Sequence, residues 1–524
     1  MLSALGSYFY AQKNNKKNIL LNIDDIIEVD NQNITEIPIQ SNEKENKNER
    51  YVSRSFSPTS HKNDHEEIST NLKIKIPVNI SSPNNQIIDA TYYPNSNNNS
   101  WNAKLIIDNK HKQINIYKIH SNLKFESLVK QIKFNDIIGF NKVKINENYY
   151  MIYFMPKERG LRTFQMLRLN LSEEPLILKQ LMDQPPKNIL FFVNPNSGKG
   201  SAINKFKKTI LPNIMAANNV NVSYYYLSTK KDCYESIKNS DFSKFDYYAI
   251  MGGDGTVTEI INYLTDFNKL KPVVLFPCGT YNAIYRSLYS EVRNLEESTF
   301  ALLKGQIQNH KLVNNLILSN PVQSKFAINT ISWGFPSDID YATSNLRFFG
   351  KFRLTLGTFV KSFGTCSYKG RFSYLPIDNA LTKEQLDIEL SELDQHKYYE
   401  LSDNWSTIQS SQNKDSHFLG IWISTKKHTN DGIILNDYQT NDKEYFRILI
   451  IRYGIMCPDL LNAMIDLSKG NIPNNDYIDI VYAKAFILEP YNKQNSNSLM
   501  IDGEPIKYSL IRGKYAENFV QIIA

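Results

Sequence analysis

Between residues 188 and 288 the chain repeats one pattern: an apolar run of strand length, a short polar loop, and a helix-period stretch. "NILFFV" leads into "NPNSGKGSAINKFKKTI", "VSYYYL" into "STKKDCYESIKN", "FDYYAIM" into "GGDGTVTEIINYL", and "KPVVLF" into "PCGTYNAIYRSL". Successive strand–loop–helix units predict a parallel, doubly wound sheet, because each helix must cross back over a face to start the next parallel strand. In such sheets the loops after the strand C-termini share one edge, and ligands bind there. All of these loops are polar and three contain glycine, so that edge is where function is expected.

The flanks read differently. Residues 1–70 are dominated by Asn, Lys, Glu and Ser ("SNEKENKNER", "HKNDHEE") and are expected to form a disordered arm, since they cannot bury enough apolar surface to offset ordering. Residues 71–184 show alternating strand runs, such as "WNAKLIIDNKHKQINIYKI" and "YYMIYFMP", closed by the helical stretch "EEPLILKQLM". This β-rich module resembles a pleckstrin-homology-like domain. After "DQPPK" come the α/β units, 185–307, and then a mostly β region, 308–524, interrupted by a charged insert at 377–415. Strand candidates in that last region are "NNLILS", "KFAINTISWGF", "RFSYLPI", "HFLGIWIS", "IDIVYAKAFILEP" and "ENFVQII".

The net charge of +7 over 524 residues suits contact with anionic membrane or nucleotide, and neither an arginine stripe nor a zinc spacing speaks for nucleic acid. Cys233, Cys278, Cys366 and Cys457 are scattered, which argues against a disulfide framework and points to a reducing compartment. No apolar run reaches the ~18 residues of a membrane span. "MLSALGSYFYAQ" lacks the basic start of a signal peptide. A cytoplasmic protein, soluble or peripherally bound, is the expectation.

The first glycine loop, "NPNSGKGS" (194–201), offers consecutive amides and a lysine ahead of a helix, a setting that attracts phosphate. It is not a Walker loop, since Val193 stands where the first glycine would be and Gly200 follows Lys199. "GGDGT" (252–256) fails the dinucleotide fingerprint at Thr258. Thr256 and Glu259 have capping-box spacing, so a capping role and a ligand contact stay open for both. Asp254 would cap nothing obvious. A carboxylate beside bound phosphate either accepts a proton from an incoming hydroxyl or holds Mg²⁺. "FPCGTYN" (276–282) adds a further phosphate-facing loop with Gly279, Thr280 and Asn282.

In this order and spacing, "NPNSGKG", "GGDGT" and "PCGTYNA" resemble the catalytic domain shared by diacylglycerol, ceramide and sphingosine kinases. "SWGFPSDIDYATSNLRFFGKFRLTLGTF" (332–359) and "IDGEP" (501–505) are similar to the sphingosine-kinase branch. The resemblance implies an α/β nucleotide domain followed by a β-sandwich lipid domain, with ATP and Mg²⁺ in the cleft. It assigns nucleotide contacts to Asn194, Asn196, Lys199, Ser228, Gly253, Glu259, Gly279, Thr280 and Asn282, and places Arg347 and Arg353 on the phosphates. Asp502, Gly503 and Glu504 would close the site near the nucleotide or its metal. Asp254 becomes the base that deprotonates a lipid hydroxyl. Asp340 would meet the amine of a sphingoid base, Thr330 its headgroup, and Phe335, Leu354, Thr358 and Phe359 its chain, with plain β-core packing as the other reading of the aromatics.

A diacylglycerol or ceramide kinase shares the first loops, and Asp340 separates them, because only a sphingoid base offers that carboxylate a cation. A catalytically dead lipid-binding scaffold is the reading from another class. It draws on Tyr281, which stands where the family pattern has glycine. Asn196 and Ser201 also depart from the pattern, each removing positive charge near phosphate. No metal ligand or protein partner is assigned.

Overall fold

The computed structural model describes residues 34–36 and 85–524, less 95–99, 121–124, 144–147, 184, 199, 280–281, 290–291, 293, 320, 339–366, 379–380, 393–400, 414–415, 430–433, 436–443, 492–498 and 507–508.

The front module is a seven-stranded antiparallel sheet. Its strands are β1 (Asn85–Tyr93), β2 (Trp101–Asp108), β3 (Gln113–His120), β4 (Phe125–Lys133), β5 (Ile137–Lys142), β6 (Tyr149–Phe154) and β7 (Gln165–Leu171), in the order β4-β3-β2-β1-β7-β6-β5. Strict alternation in β6 sends Tyr150, Ile152 and Phe154 inward, where they meet Leu105, Ile116 and Leu169. The closing helix α1 (Leu176–Met182) adds Leu178 and Met182 to the same core. A strand run followed by one helix is the order the sequence predicts for this module.

The α/β region forms the expected parallel sheet. β8 (Lys187–Val193) pairs in parallel with β9 (Val220–Tyr226) and β10 (Tyr247–Gly252), and β10 with β11 (Val273–Pro277). The order β9-β8-β10-β11 reverses direction between β8 and β10, which makes that gap the topological switch point. Residues Ile189 to Val193 and Tyr248 to Met251 are all fully buried, as strands covered on both faces must be. Side chains of one face join a cluster with Ile260 and Leu264, and those of the other join one with Phe206 and Ile214. The helix after β8 (α2) is interrupted: Ala202–Lys205 and Leu211–Met215 flank a π-helical stretch, Phe206–Ile210. The others are α3 (Lys230–Asn239), α4 (Asp254–Asp266), α5 (Ala283–Leu288) and α6 (Leu295–Lys304).

The strands of the last region are β12 (Ile307–Ile317), β13 (Gln323–Ala327), β14 (Thr330–Gly334), β15 (Gly370–Pro376), β16 (Ser406–Gln409), β17 (Phe418–Ser424), β18 (Phe446–Arg452), β19 (Ile478–Pro490), β20 (Leu499–Ile501), β21 (Glu504–Pro505) and β22 (Ile511–Ile523). Two helices accompany them, α7 (Lys383–Glu392) and α8 (Cys457–Ser468). Ladders among β12 to β22 are antiparallel, and one core holds Trp333, Phe372, Phe446, Phe486 and the inner face of α8.

Two features go beyond the sequence reading. The α/β and β regions do not form separate sheets: β22 pairs with β11 in parallel through Val273↔Ile522 and with β12 and β19 antiparallel, so the hydrogen-bonded ladder is continuous. The insert at 377–415 is also part of the fold. Its β16 pairs with β15, and Leu386, Leu390 and Trp405 pack on Leu375, Ala485 and Ile487.

Candidate active site

The glycine loops meet above the switch point, and steric contact between them explains their composition. A Cβ on Gly279 would lie 2.4 Å from Gly253 Cα, so the β10 and β11 loops touch backbone to backbone and only glycine fits there. Gly279 N–H and Cys278 N–H both donate to the Gly252 carbonyl, at 3.0 and 2.9 Å. A side chain on Gly255 would come within 2.2 Å of Glu504 Oε1, which seats the α4 start against the β20–β21 turn.

Asparagines tie the loops off. Asn194 accepts from Asn196 N–H at 3.0 Å and donates from Nδ2 to Thr256 Oγ1 at 2.8 Å. That side chain folds the 194–201 loop and fastens it to the GGDGT turn. Gly198 and Gly200 take left-handed φ of 63° and 77°, a conformation that glycine adopts without strain. Asn282, buried with φ 52°, accepts from Gly279 N–H and donates to its carbonyl, at 2.8 and 2.9 Å. Ser228 is exposed at the end of the β9 loop. Lys199, Thr280, Tyr281, Asp340, Arg347, Arg353, Leu354, Thr358 and Phe359 lie outside the described residues.

The capping box is a correction. Helix α4 begins at Asp254 with Gly253 as its N-cap, so Thr256 already lies in the first turn. Glu259 accepts instead from Tyr263 Oη at 2.9 Å and pairs with Lys230 at 3.1 Å. The expectation that Asp254 caps nothing is overturned as well. Its Oδ2 accepts from Ala283 N–H at 3.0 Å and its Oδ1 from Ile284 N–H at 2.9 Å, so it caps the neighbouring helix α5. Burial pushes the Asp254 carboxyl up to about 6; the two amides pull against that, and Asp502 adds to the rise.

Asp502 serves differently. At φ 48° in the turn after β20, it accepts from Thr258 Oγ1 (2.8 Å), Ile328 N–H (2.8 Å), Asn329 N–H (2.9 Å) and Thr330 N–H (2.7 Å). Its lone pairs are occupied by protein donors that join α4, β14 and β20. Burial raises its carboxyl and those donors oppose the rise. Gly503 follows at φ 77°. Glu504 Oε2 accepts from Lys230 Nζ at 2.6 Å, and Lys230 also reaches Glu259, which bridges α3, α4 and β21. Burial lowers Lys325 beside this cluster. Lys230 and Lys325 are the charged groups that motif reading passes over; 274 residues separate Lys230 from Glu504.

Thr330 is buried on β14 beside Asp502, and Phe335 is packed in the β core. Tyr368 donates its hydroxyl to Asp338, the first aspartate of the "DID" run. Among the described residues no three His, Cys, Asp or Glu converge to hold a metal ion. Mg²⁺ between phosphates needs only one or two carboxylates, and Glu504, partly exposed at the cleft, fits that share.

Residues 188–314 match the family model described as "Diacylglycerol kinase catalytic domain". The chain carries a lipid-kinase catalytic domain. The kinase is 23% identical over 360 residues to sphingosine kinase 1 of Homo sapiens, covering 65% of this chain and 91% of that protein. It is 25% identical over 345 residues to sphingoid long chain base kinase 4 of Schizosaccharomyces pombe, covering 61% and 70%. A solved diacylglycerol kinase from Bacillus anthracis str. Sterne aligns with a TM-score of 0.44 at 17% identity, covering 64% of this kinase and 96% of that chain. Among the described residues of the kinase, no helix is long and apolar enough to cross a membrane.

Proposed function

We propose that this kinase transfers the γ-phosphoryl group of ATP to the primary hydroxyl of a sphingoid base. The observation that carries the reading is the seat of Asp254: a carboxylate at the switch point, fixed by two amides of α5, with its carboxyl poised near 6. Each oxygen uses one acceptor site on an amide and keeps another. A base so placed is ionised at neutral pH and still close enough to it to accept a proton.

In the reaction the lipid hydroxyl oxygen bonds to the γ-phosphorus and the bond to the bridging β–γ oxygen breaks, releasing ADP. The hydroxyl proton passes to Asp254. The loops bearing Asn194, Asn196, Ser228, Gly253, Gly279 and Asn282 hold the nucleotide, with Lys199, Thr280, Arg347 and Arg353 on its phosphates. Catalysis of this kind rests on positioning and charge neutralisation. Mg²⁺, when bound, would supply charge neutralisation, and Glu504 would be a carboxylate to hold it. Asp340 pairs with the amine of the sphingoid base, while Thr330, Phe335, Leu354 and Thr358 border the lipid. The relatives named as sphingosine kinases support this headgroup choice. Because the substrate partitions into bilayers, the kinase works peripherally at a cytoplasmic membrane face.

The test is phosphate transfer from labelled ATP to sphingosine, ceramide and diacylglycerol, presented side by side in mixed micelles. Product from sphingosine alone is expected. Product mainly from either neutral lipid overturns the Asp340 contact, and none from any of them moves the inactive scaffold to the front.

A further inference from the structure

Helix α5 supplies the amides that fix Asp254, yet it spans only Ala283–Leu288. A helix this short has no stability of its own, so its position is set by what holds its far side. Two tyrosines do so. Tyr285 and Tyr289 stack with ring centroids 4.9 Å apart, and Tyr289 Oη donates to the Ile523 carbonyl at 2.8 Å while accepting from Leu275 N–H at 3.1 Å. Tyr285, fully buried, donates its hydroxyl to the Asn294 carbonyl at 2.9 Å.

Asn294 in turn faces the front module. Its Oδ1 caps α6 by accepting from Glu296 N–H at 2.8 Å, and its Nδ2 donates to the Arg162 carbonyl at 2.9 Å. Arg162 is held from several sides: Met155 O at 2.6 Å, Asp136 at 3.2 Å, Glu297 at 3.6 Å, and the Phe300 ring 3.3 Å from its guanidinium carbon. Lys157 adds an ion pair to Glu297 at 3.1 Å. Elsewhere the module seats on the end of α2, where Phe140 N–H donates to Asn218 Oδ1 at 2.8 Å. A Cβ on Gly139 there would strike the Ala216 carbonyl at 2.0 Å. The module therefore docks closely on the catalytic domain, and one of its docking contacts continues through Asn294 and Tyr285 into α5.

We propose that Asn294 and Tyr285 are positioning residues that carry the seat of the front module through α5 to the carboxylate of Asp254. The module is then part of the catalytic geometry, in addition to any role at a membrane. The inference rests on Asp254 as the base.

The experiment uses the full chain with Tyr285→Phe, which keeps the ring stack, and Asn294→Ser, which keeps a good cap but is too short to reach Arg162. Asn294→Ser removes one neutral hydrogen bond, and Tyr285→Phe removes the one donated to the Asn294 carbonyl together with a longer one accepted from Asn294 N–H at 3.4 Å, so kcat falls roughly three- to tenfold, with KM for ATP unchanged. Both losses vanish in an Asp254→Asn background, because the carboxylate they position is gone. Thermal melts identify folded variants, and Tyr285→Phe alone decides if Asn294→Ser melts early. Unchanged kcat in a folded Tyr285→Phe, or a loss that adds fully to that of Asp254→Asn, overturns the proposal. Near-normal turnover by Asp254→Asn removes the base beneath it, and is recognised because that single variant shows it without the others.

Discussion

The turn after β10 and the turn after β20 each place an aspartate where burial works against its charge, and they use it for opposite ends. Asp254 receives two amides, both from one short helix. Asp502 receives three amides and a hydroxyl, drawn from α4 and from the stretch leading into β14. A carboxylate accepts about four hydrogen bonds, so the first keeps capacity for a substrate proton and the second keeps none. Counting donors separates a base from a strut where burial alone does not.

Exchanging either residue should break the comparison in a characteristic way. The largest effect expected is on turnover: Asp254→Asn lowers kcat about 10²–10⁴-fold with the fold intact, read by labelled-phosphate transfer and a thermal melt. In the wild type, protonating the same carboxyl switches it off, so kcat/KM falls about tenfold per unit as pH drops below about 6. Both carboxyls are raised in the fold, so protonation of either favours the folded state. Their contributions to stability are complete below the usual carboxyl range and are lost as pH rises through the folded values. Acid therefore costs activity while these two groups add stability, and melts taken beside the rates between pH 5 and 7 check the sign.

Asp502→Ala comes next, and its effect is on folding. It leaves three buried amides and a hydroxyl without their acceptor and destabilises by about 3 kcal/mol or more, measured by denaturant titration. An Asp502 variant that melts like wild type but has lost turnover would place Asp502 with the catalytic groups. The smallest effect belongs to Lys230→Met. Lys230 is mostly exposed between Glu259 and Glu504, so its loss costs no more than about 1 kcal/mol. A larger change would mean that the bridge across the cleft orders more than its own side chains.

What the sequence makes legible follows from distance along the chain. Each strand–loop–helix unit is written locally, as an apolar run, a turn and a helical period, and the parallel sheet appears where expected. The loops are legible for the same reason. The partners of Asp254 are not, since Ala283 and Ile284 lie a loop, a helix and a strand away, and the donors to Asp502 lie 172 to 244 residues upstream. Thr256 and Glu259 have the spacing of a capping box, but close packing of Gly253 on Gly279 starts the helix earlier. "FESLVKQIK" (125–133) has no clean alternation and becomes an edge strand through its pairing with β3, a tertiary override of a weak local preference. The insert at 377–415 reads in the sequence only as a charged interruption, yet Leu386, Leu390 and Trp405 are spaced to cover one small core.

The ladder that joins β11 to β22 also has a consequence for how the protein is made. β11 is finished at Pro277, and the strand that covers its open edge reaches its partner only at Ile522. At ribosomal rates of about 5–20 residues per second, the gap of roughly 250 residues lasts on the order of 10–50 s. Throughout that interval the nascent nucleotide-binding half carries an unpaired, apolar strand edge of the kind that recruits other chains. Its native completion is thus tied to the far end of the β region, and a chaperone has a defined edge to shield.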